Sequence, residues 1–247
     1  DVERSRGLGD VYKRQLSFSN TDMAFKDNLL VAGSYHGFNI YELQDNGIPN
    51  LITSVVCPGG QGDVSVVGNI LIMSVEETRG RVDCGLDGVG PDASPERFRG
   101  IRIFDISNIK KPKQVGAVQT CRGSHTHSVV AGPTADNKII VYNSGTGRVR
   151  EEDELDGCIG NIAGDTRTAY FSIDVIEIPI NDPASSRIVS SPRVFADNDK
   201  GIIAGLWRGG DHGDGTQDTR PTNQCHDITV FPLSLIHISE PTRPLYI

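Results

Sequence analysis

Short apolar runs alternate with polar, turn-forming residues along most of this chain. The runs NLLVAGS (28–34), NILIMSV (69–75) and KIIVYNS (138–144) are examples, and Gly, Pro, Asn and Asp bound such runs. This pattern is typical of short strands joined by tight turns. The 28 Gly and 13 Pro residues among the 247 also indicate many turns. The sequence therefore predicts an all-β fold.

The predicted strands fall into three groups of four. The first group is 22–25, 28–34, 37–43 and 51–56. The second group is 63–67, 69–75, 100–106 and 113–120. The third group is 127–131, 138–144, 169–178 and 187–196.

The chain repeats itself at the start of each group. DMAFKDNLLVAG from Asp22 matches DVSVVGNILIMS from Asp63 position for position, a third copy starts at His127, and a short fourth starts at Asp227. The first two copies start 41 residues apart, close to the roughly 40–45 residues of a four-stranded propeller blade. The sequence therefore predicts a partial β-propeller, with three four-stranded blades and the first strand of a fourth. The expected blades are about 20–60, 61–124, 125–222 and a truncated 223–232.

The two ends of the chain lack this pattern. Residues 1–15 and 233–247 contain GLGDVYKRQ and SLIHISEPTRPL, which resemble translated sequencing-adapter sequence of the kind found in metagenome assemblies. Such segments are excluded from fold reasoning. We expect two non-native tails around a natural fragment, 16–232; natural disordered tails are the alternative.

One stretch carries a family resemblance. GIRIFDISNIKKPKQVGAV (100–118) is similar to the LVIVD repeat of bacterial and archaeal cell-surface proteins, and looser versions stand in the first and third groups. The resemblance covers about 20–232. It implies four-stranded propeller blades and a location outside the cytoplasm, but no particular activity.

Three long insertions interrupt the repeat. Two of them, 77–98 and 146–167, separate second from third strands, and the third, 197–224, precedes the fourth copy. In a propeller all three positions lie at the same end, which we call the upper face. Long loops on a rigid scaffold commonly carry function; shielding of blade edges is the alternative. The acidic run TGRVREEDELDG (146–157) predicts a solvated loop.

The five cysteines also follow the repeat. Cys57 and Cys121 hold equivalent places before inner strands, while Cys84 and Cys158 lie in the first two insertions. The symmetric pairing is Cys57–Cys84 and Cys121–Cys158, and the partner of Cys225 would lie in absent sequence. Disulfides indicate an oxidising compartment, so we expect a periplasmic, secreted or cell-surface protein. Buried thiols in a cytosolic protein are the alternative.

Acidic residues recur where the inner strands begin. Asp22, Asp63 and Asp227 hold the same position in their copies, and His127 holds it in the third. We expect these aspartates to be structural acceptors that tie inner-strand N–H groups of neighbouring blades together.

Histidines are placed at the same end of the predicted propeller. His125, His127 and His226 stand where inner strands begin, His36 follows a second strand, and His212 lies in the third insertion. Imidazole and carboxylate groups around an axial pocket suit a divalent metal ion, a general base or a ligand contact. Glu76 and Glu77 face the same side and are the catalytic candidates. The alternative is a hydrogen-bonded pair of histidines that binds no metal.

Net charge and hydropathy argue against two classes of protein, nucleic-acid-binding proteins and proteins with membrane-spanning helices. The net charge of −8 argues against nucleic acid as a partner, and no run approaches the roughly 18 apolar residues of a membrane helix. We expect an extracytoplasmic binding protein that uses the upper face on a protein, glycan or small-molecule ligand. A metal-dependent enzyme with a His/carboxylate site at the channel mouth is the alternative.

Overall fold

A computed structural model describes residues 20–160, 165–207, 209–210, 220–231 and 236–241. This part of the chain contains three consecutive four-stranded antiparallel sheets. The first sheet contains β1 (Asn20–Lys26), β2 (Leu29–Ser34), β3 (Gly37–Leu43) and β4 (Pro49–Val56). The second contains β5 (Val64–Val67), β6 (Ile70–Val75), β7 (Gly100–Asp105) and β8 (Lys113–Gln119). The third contains β9 (Thr126–Ala131), β10 (Lys138–Ser144), β11 (Asp174–Pro179) and β12 (Arg187–Ser190).

The third sheet has shorter outer strands than the sequence predicts. β11 begins at Asp174 and not at residue 169, because Phe171 has a φ of +50°. The Phe171 N–H donates to the carbonyl of Asn223, and the Phe171 carbonyl accepts from the N–H of Val194. These backbone groups are paired outside the ladder, so a strand cannot continue there. β12 ends before Pro192, which has no N–H to donate.

Further short elements lie within the third sheet and after it. A 3-10 turn, Pro183–Ser185, precedes β12, and a small ribbon pairs β13 (Ala196–Asp197) with β14 (Ile202–Ile203). The fourth unit has two strands, β15 (Cys225–Phe231) and β16 (Ile236–Pro241), which pair antiparallel.

β16 lies in the segment 233–247 that the sequence analysis leaves outside the fold. The edge of β15 presents backbone groups that need partners, and the backbone of the following segment supplies them. The origin of both tails stays a prediction, and residues 1–15 lie outside the described residues.

The apolar core lies between successive sheets. One buried cluster includes Phe38 and Ile40 of the first sheet with Leu71 and Met73 of the second. On the other side of β6, the buried Ile72 packs in a second cluster with residues of the third sheet. Every residue of β6 is buried, because its alternating side chains serve two neighbouring sheets. The sheets therefore stack in chain order, as in repeat proteins.

Hydrogen bonds join the first strands of successive sheets. The N–H of Val64 donates to Asp22 Oδ2 at 2.9 Å, and the N–H of His127 donates to Asp63 Oδ2 at 2.7 Å. Asp22 and Asp63 thus have the expected structural role, whereas Asp227 Oδ1 accepts the N–H of Ile228 in its own strand at 2.8 Å. At the next junction the polarity reverses, and the Thr126 hydroxyl donates to the carbonyl of His226 at 3.0 Å.

The first strands of all four units surround one axial cavity. It has a volume of about 300 Å³, and its lining residues include Asp22, Asp63, His127 and Asp227. Four-stranded antiparallel sheets, packed face to face with their first strands around an axis, define a β-propeller. The predicted fold class is confirmed.

Cys57–Cys84 and Cys121–Cys158 are disulfide-bonded, as the repeat symmetry predicts. Each bond ties an insertion to the loop that precedes an inner strand. Cys225 is buried in β15 and lies outside both bonds. Within the described ranges, no helix is long and apolar enough to cross a membrane.

We expect the second disulfide to stabilise the fold strongly. Its cysteines are 37 residues apart, and the loop-entropy relation gives about 4 kcal/mol for a loop of that length. Urea unfolding of the full chain should show a loss of this size in the Cys121→Ala/Cys158→Ala variant. Thiol reduction of the unaltered chain is the companion measurement. A loss below about 1 kcal/mol would contradict a closed loop.

Candidate functional site

The three insertions meet at one end of the propeller, the upper face. Insertion one (77–98) and insertion two (146–167) are in direct contact, since the N–H of Ser94 donates to Glu154 Oε2 at 3.2 Å. Insertion two also reaches insertion three (197–224), because the Thr166 hydroxyl donates to Asn198 Oδ1 at 2.7 Å. The upper face is therefore one connected surface.

A buried ion triad holds the first two insertions together. Glu154 accepts from Arg150 Nε at 2.6 Å through one carboxylate oxygen, and its other oxygen pairs with Arg97 Nη1. The exposed fractions of the side chains are 3% for Glu154, 1% for Arg150 and 6% for Arg97. Arg97 belongs to insertion one and the other two residues to insertion two.

This triad corrects the interpretation of 146–157 as a solvated loop. Arg150 and Glu154 are four residues apart inside that acidic run, yet their side chains point inward. The reason is Arg97, whose guanidinium also donates from Nε to the carbonyl of Thr78 at 2.9 Å. A carboxylate can be buried at that point because two guanidinium groups compensate its charge.

At the axial cavity, the carboxyl groups of Asp22 and Asp63 both belong to the lining. Burial raises the pKa of Asp22, and the negative charge of Asp63 adds to this. Burial alone would also raise the pKa of Asp63, but the adjacent His127 outweighs it and lowers that pKa. Asp22 is therefore the weaker acid of the two, and Asp63 the stronger.

His127 is held in a network with Asp63 and Ser74. Its Nδ1 lies 2.8 Å from Asp63 Oδ2 and 2.8 Å from the Ser74 hydroxyl, which also contacts the Ser124 hydroxyl at 2.6 Å. An acid, an imidazole and a hydroxyl all occur here, but Asp63 and Ser74 both contact the same ring nitrogen of His127, Nδ1. A hydrolytic triad places the acid and the nucleophile on opposite nitrogens. The network therefore orders the inner strands and does not activate Ser74.

His125 forms a second pair, closer to the upper face. Its Nδ1 lies 2.6 Å from Glu76 Oε2, which also accepts from the Thr146 hydroxyl at 2.9 Å. The rings of His125 and His226 are 4.4 Å apart at their centroids. Glu77 instead pairs with Arg79 on the surface.

The structure does not assemble the predicted metal ligands. His125 and His127 each direct Nδ1 to a different carboxylate, while His226 touches His125 only as a ring contact. Within the residues that the structure describes, no group of three or more His, Cys, Asp or Glu could hold a metal ion. His212 lies outside the described residues. Glu76 and Glu77 also have separate partners.

The sequence analysis missed the arginines of the upper face. Arg97 and Arg99 stand at alternate positions directly before β7, and both are buried. Arg122 is also buried and donates to backbone carbonyls of Thr146 and Gly147. The sequence did contain one indication of them, since charged residues alternate directly before a predicted strand and next to a long insertion.

No protein-family model and no curated protein matches this chain. A crystal structure of a protein from Lactobacillus plantarum is similar at a TM-score of 0.34 and 12% identity, over 72% of this chain and 57% of that one. The crystal structure of the computationally designed Ika4 protein is similar at a TM-score of 0.31 and 11% identity, over 70% of this chain and 93% of that one. The crystal structure of Citrobacter koseri AztD is similar at a TM-score of 0.26 and 12% identity, over 88% of this chain and 69% of that one.

These similarities to propeller-like proteins are distant, and the chain spans little more than half of the Lactobacillus plantarum protein. The fold class rests on the sheets themselves. Sheets and site together define a disulfide-bonded β-propeller with an upper face built from insertions.

Glu154→Gln should destabilise the protein by about 3–5 kcal/mol, because it leaves two buried guanidinium groups without a compensating charge. Chemical unfolding of the full chain measures this. Glu152→Gln, an exposed position in the same run, is the matched control and should have little effect. Equal stability of the two variants would show that the triad does not form.

The pKa of His125 should lie above its ordinary 6.5. Burial alone would lower it, but the Glu76 hydrogen bond and the negative charges of Glu76, Asp63 and Asp227 outweigh burial. Since the folded-state pKa is raised, protonation of His125 contributes stability that is full below pH 6.5 and is lost as pH rises through the folded-state pKa. An NMR titration of the ring should show this, and Glu76→Gln should lower the pKa. No response to that substitution would contradict the pairing.

Proposed function

We propose that this protein is an extracytoplasmic binding propeller of the LVIVD-repeat type, which uses its upper face to hold a ligand. The single observation that carries the proposal is the construction of that face. Two insertions are each fixed by a disulfide and are joined to one another through buried Glu154. Loops held rigidly on a scaffold are the usual place for binding residues.

The energetics of the face support a role beyond folding. A buried ion triad contributes less stability than well-packed apolar residues of the same size would, because its charges lose their hydration. Its benefit is a fixed geometry for the surrounding polar groups. Fixed binding groups lower the entropy lost when a ligand binds.

The two disulfides support a location outside the cytoplasm. Disulfides persist in oxidising compartments and are rare in the cytosol. The periplasm, the cell surface or the external medium is therefore proposed as the place of action. The ligand is a protein, a glycan or a small molecule that occurs there, and the net charge of −8 disfavours nucleic acid.

The metal-dependent enzyme has weaker support. The carboxylate partners of His125 and His127 leave the three predicted ligands without a common point among the described residues. Binding is the function that the geometry favours.

The test compares two exposed apolar residues at opposite ends of the propeller. Leu86, in insertion one, is 61% exposed, and Ile48, in the turn between β3 and β4 at the lower end, is 58% exposed. The labelled full chain is applied to arrays of bacterial surface glycans and of surface-protein peptides. Leu86→Asp should weaken binding roughly tenfold or more, as burial of a leucine side chain implies, and Ile48→Asp should leave it unchanged. Binding that is absent, or that depends on Ile48 and not Leu86, would overturn the proposal.

A further inference from the structure

A second cavity opens on the upper face and is rich in arginine. It has a volume of about 400 Å³ and lies between the end of β6 and the start of insertion two. Arg79, Arg99 and Arg148 are among its lining residues, together with Glu76 and Glu77. This cavity is distinct from the axial cavity, which the aspartates of the inner strands line.

Arg99 is the unusual member of this group. The residue is 2% exposed, and its Nε and Nη1 have no hydrogen-bond partner in the part of the chain that the structure describes. Burial lowers the pKa of Arg99 to about 10, and the positive charge of Arg150 adds to this, so the group is still charged at neutral pH. A buried charge with unsatisfied donors is costly for a folded protein.

The neighbouring arginines have partners of their own. Arg97 and Arg150 share Glu154. Arg122 donates to the carbonyl of Gly147 at 2.7 Å and to that of Asn223 at 2.5 Å, and its guanidinium lies 4.9 Å from the ring centre of Tyr170. Among the buried arginines around this cavity, Arg99 is thus the one that has no ion pair and whose Nε and Nη1 find no acceptor among the described residues.

The carboxylates of the cavity are also engaged elsewhere. Glu76 interacts with His125 and accepts from Thr146, and Glu77 pairs with Arg79. Neither forms a hydrogen bond or ion pair with Arg99 in the described ranges. A negative group from outside the chain would complete the charge balance.

We propose that Arg99 anchors an oxyanion-binding site on the upper face, which takes a carboxylate, sulfate or phosphate group of the ligand. The inference rests on the proposed function, because it assigns the chemistry of the same face. A guanidinium binds such groups through charge-assisted hydrogen bonds that are about twice as strong as neutral ones. Arg148, at the exposed rim, adds positive charge at the entrance.

The site explains why a buried guanidinium is retained. Without an anion the charge of Arg99 weakens the fold, and replacement by an apolar side chain of similar length should be neutral or stabilising. With an anion bound, the same guanidinium stabilises the complex. Arg99→Met should therefore separate stability from anion binding.

The test is calorimetric titration of the full chain with three probes, which are sodium glucuronate, sodium sulfate and sodium phosphate, at constant ionic strength. Saturable binding of one or more probes is expected. Arg99→Met should weaken it roughly 10- to 100-fold, the range expected when hydrogen bonds to a charged group are lost. Arg99→Lys, which retains the charge but not the planar fork, should weaken it less. Arg187→Met, an exposed position on β12, removes the same charge elsewhere and should leave it unchanged.

The probes identify the source of the anion, since glucuronate alone indicates an acidic glycan and the inorganic ions indicate sulfated or phosphorylated ligands. Absence of saturable binding by all three, or equal binding by Arg99→Met and the unaltered chain, would overturn the inference. The proposed function fails separately, through the comparison of Leu86→Asp with Ile48→Asp. Anion binding that Arg99→Met leaves intact would therefore refute this site without refuting a binding role for the upper face.

Discussion

The upper face depends on the burial of one carboxylate, that of Glu154. This group lies between Arg97 and Arg150, and it joins an insertion of the second blade to an insertion of the third. Without it, two guanidinium groups would repel each other in a site with little water. With it, the two insertions occupy a fixed position, and the cavity beside Arg99 has a defined shape. The proposed anion site thus adjoins a cluster in which one carboxylate faces two guanidinium groups, and Arg99 adds a further positive charge that has no ion pair among the described residues.

A different set of polar contacts joins the inner strands at the axis of the propeller. Asp22 and Asp63 each accept the N–H of the next inner strand, so one side chain replaces a backbone partner that the strand lacks at its start. These contacts fix the order of the blades but leave the carboxyl groups close together. His127 Nδ1 then lies 2.8 Å from Asp63 Oδ2, and this contact helps to lower the pKa of Asp63. The aspartates of the axis accordingly have a structural role. Among the described residues, buried nitrogens without a hydrogen-bond partner occur both at the axis, at His127 Nε2, and on the upper face, at Arg99.

The sequence predicted the parts of the fold that depend on local pattern. Repeated apolar runs specified the three sheets, and the equivalent positions of Cys57 and Cys121 predicted both disulfides. The arginines were not predicted, because Arg97 lies 57 residues from Glu154 and the acidic run that contains Arg150 and Glu154 resembles a solvated loop. For a related reason, His125, His127 and His226 do not share a common point among the described residues. Histidines at one end of a propeller need not converge, since each imidazole can be directed by a nearby carboxylate.

Hydrogen exchange of the two insertions tests the central claim, that they form one rigid face, most directly. The N–H groups of Val82, Phe98 and Arg150 donate to the carbonyls of Glu96, Gly80 and Cys121. In a rigid face these amides exchange only when a large part of the blade opens, so we expect them to be as protected as the amides of β6. Exchange at the rate of an unprotected loop, with β6 still protected, would contradict the account.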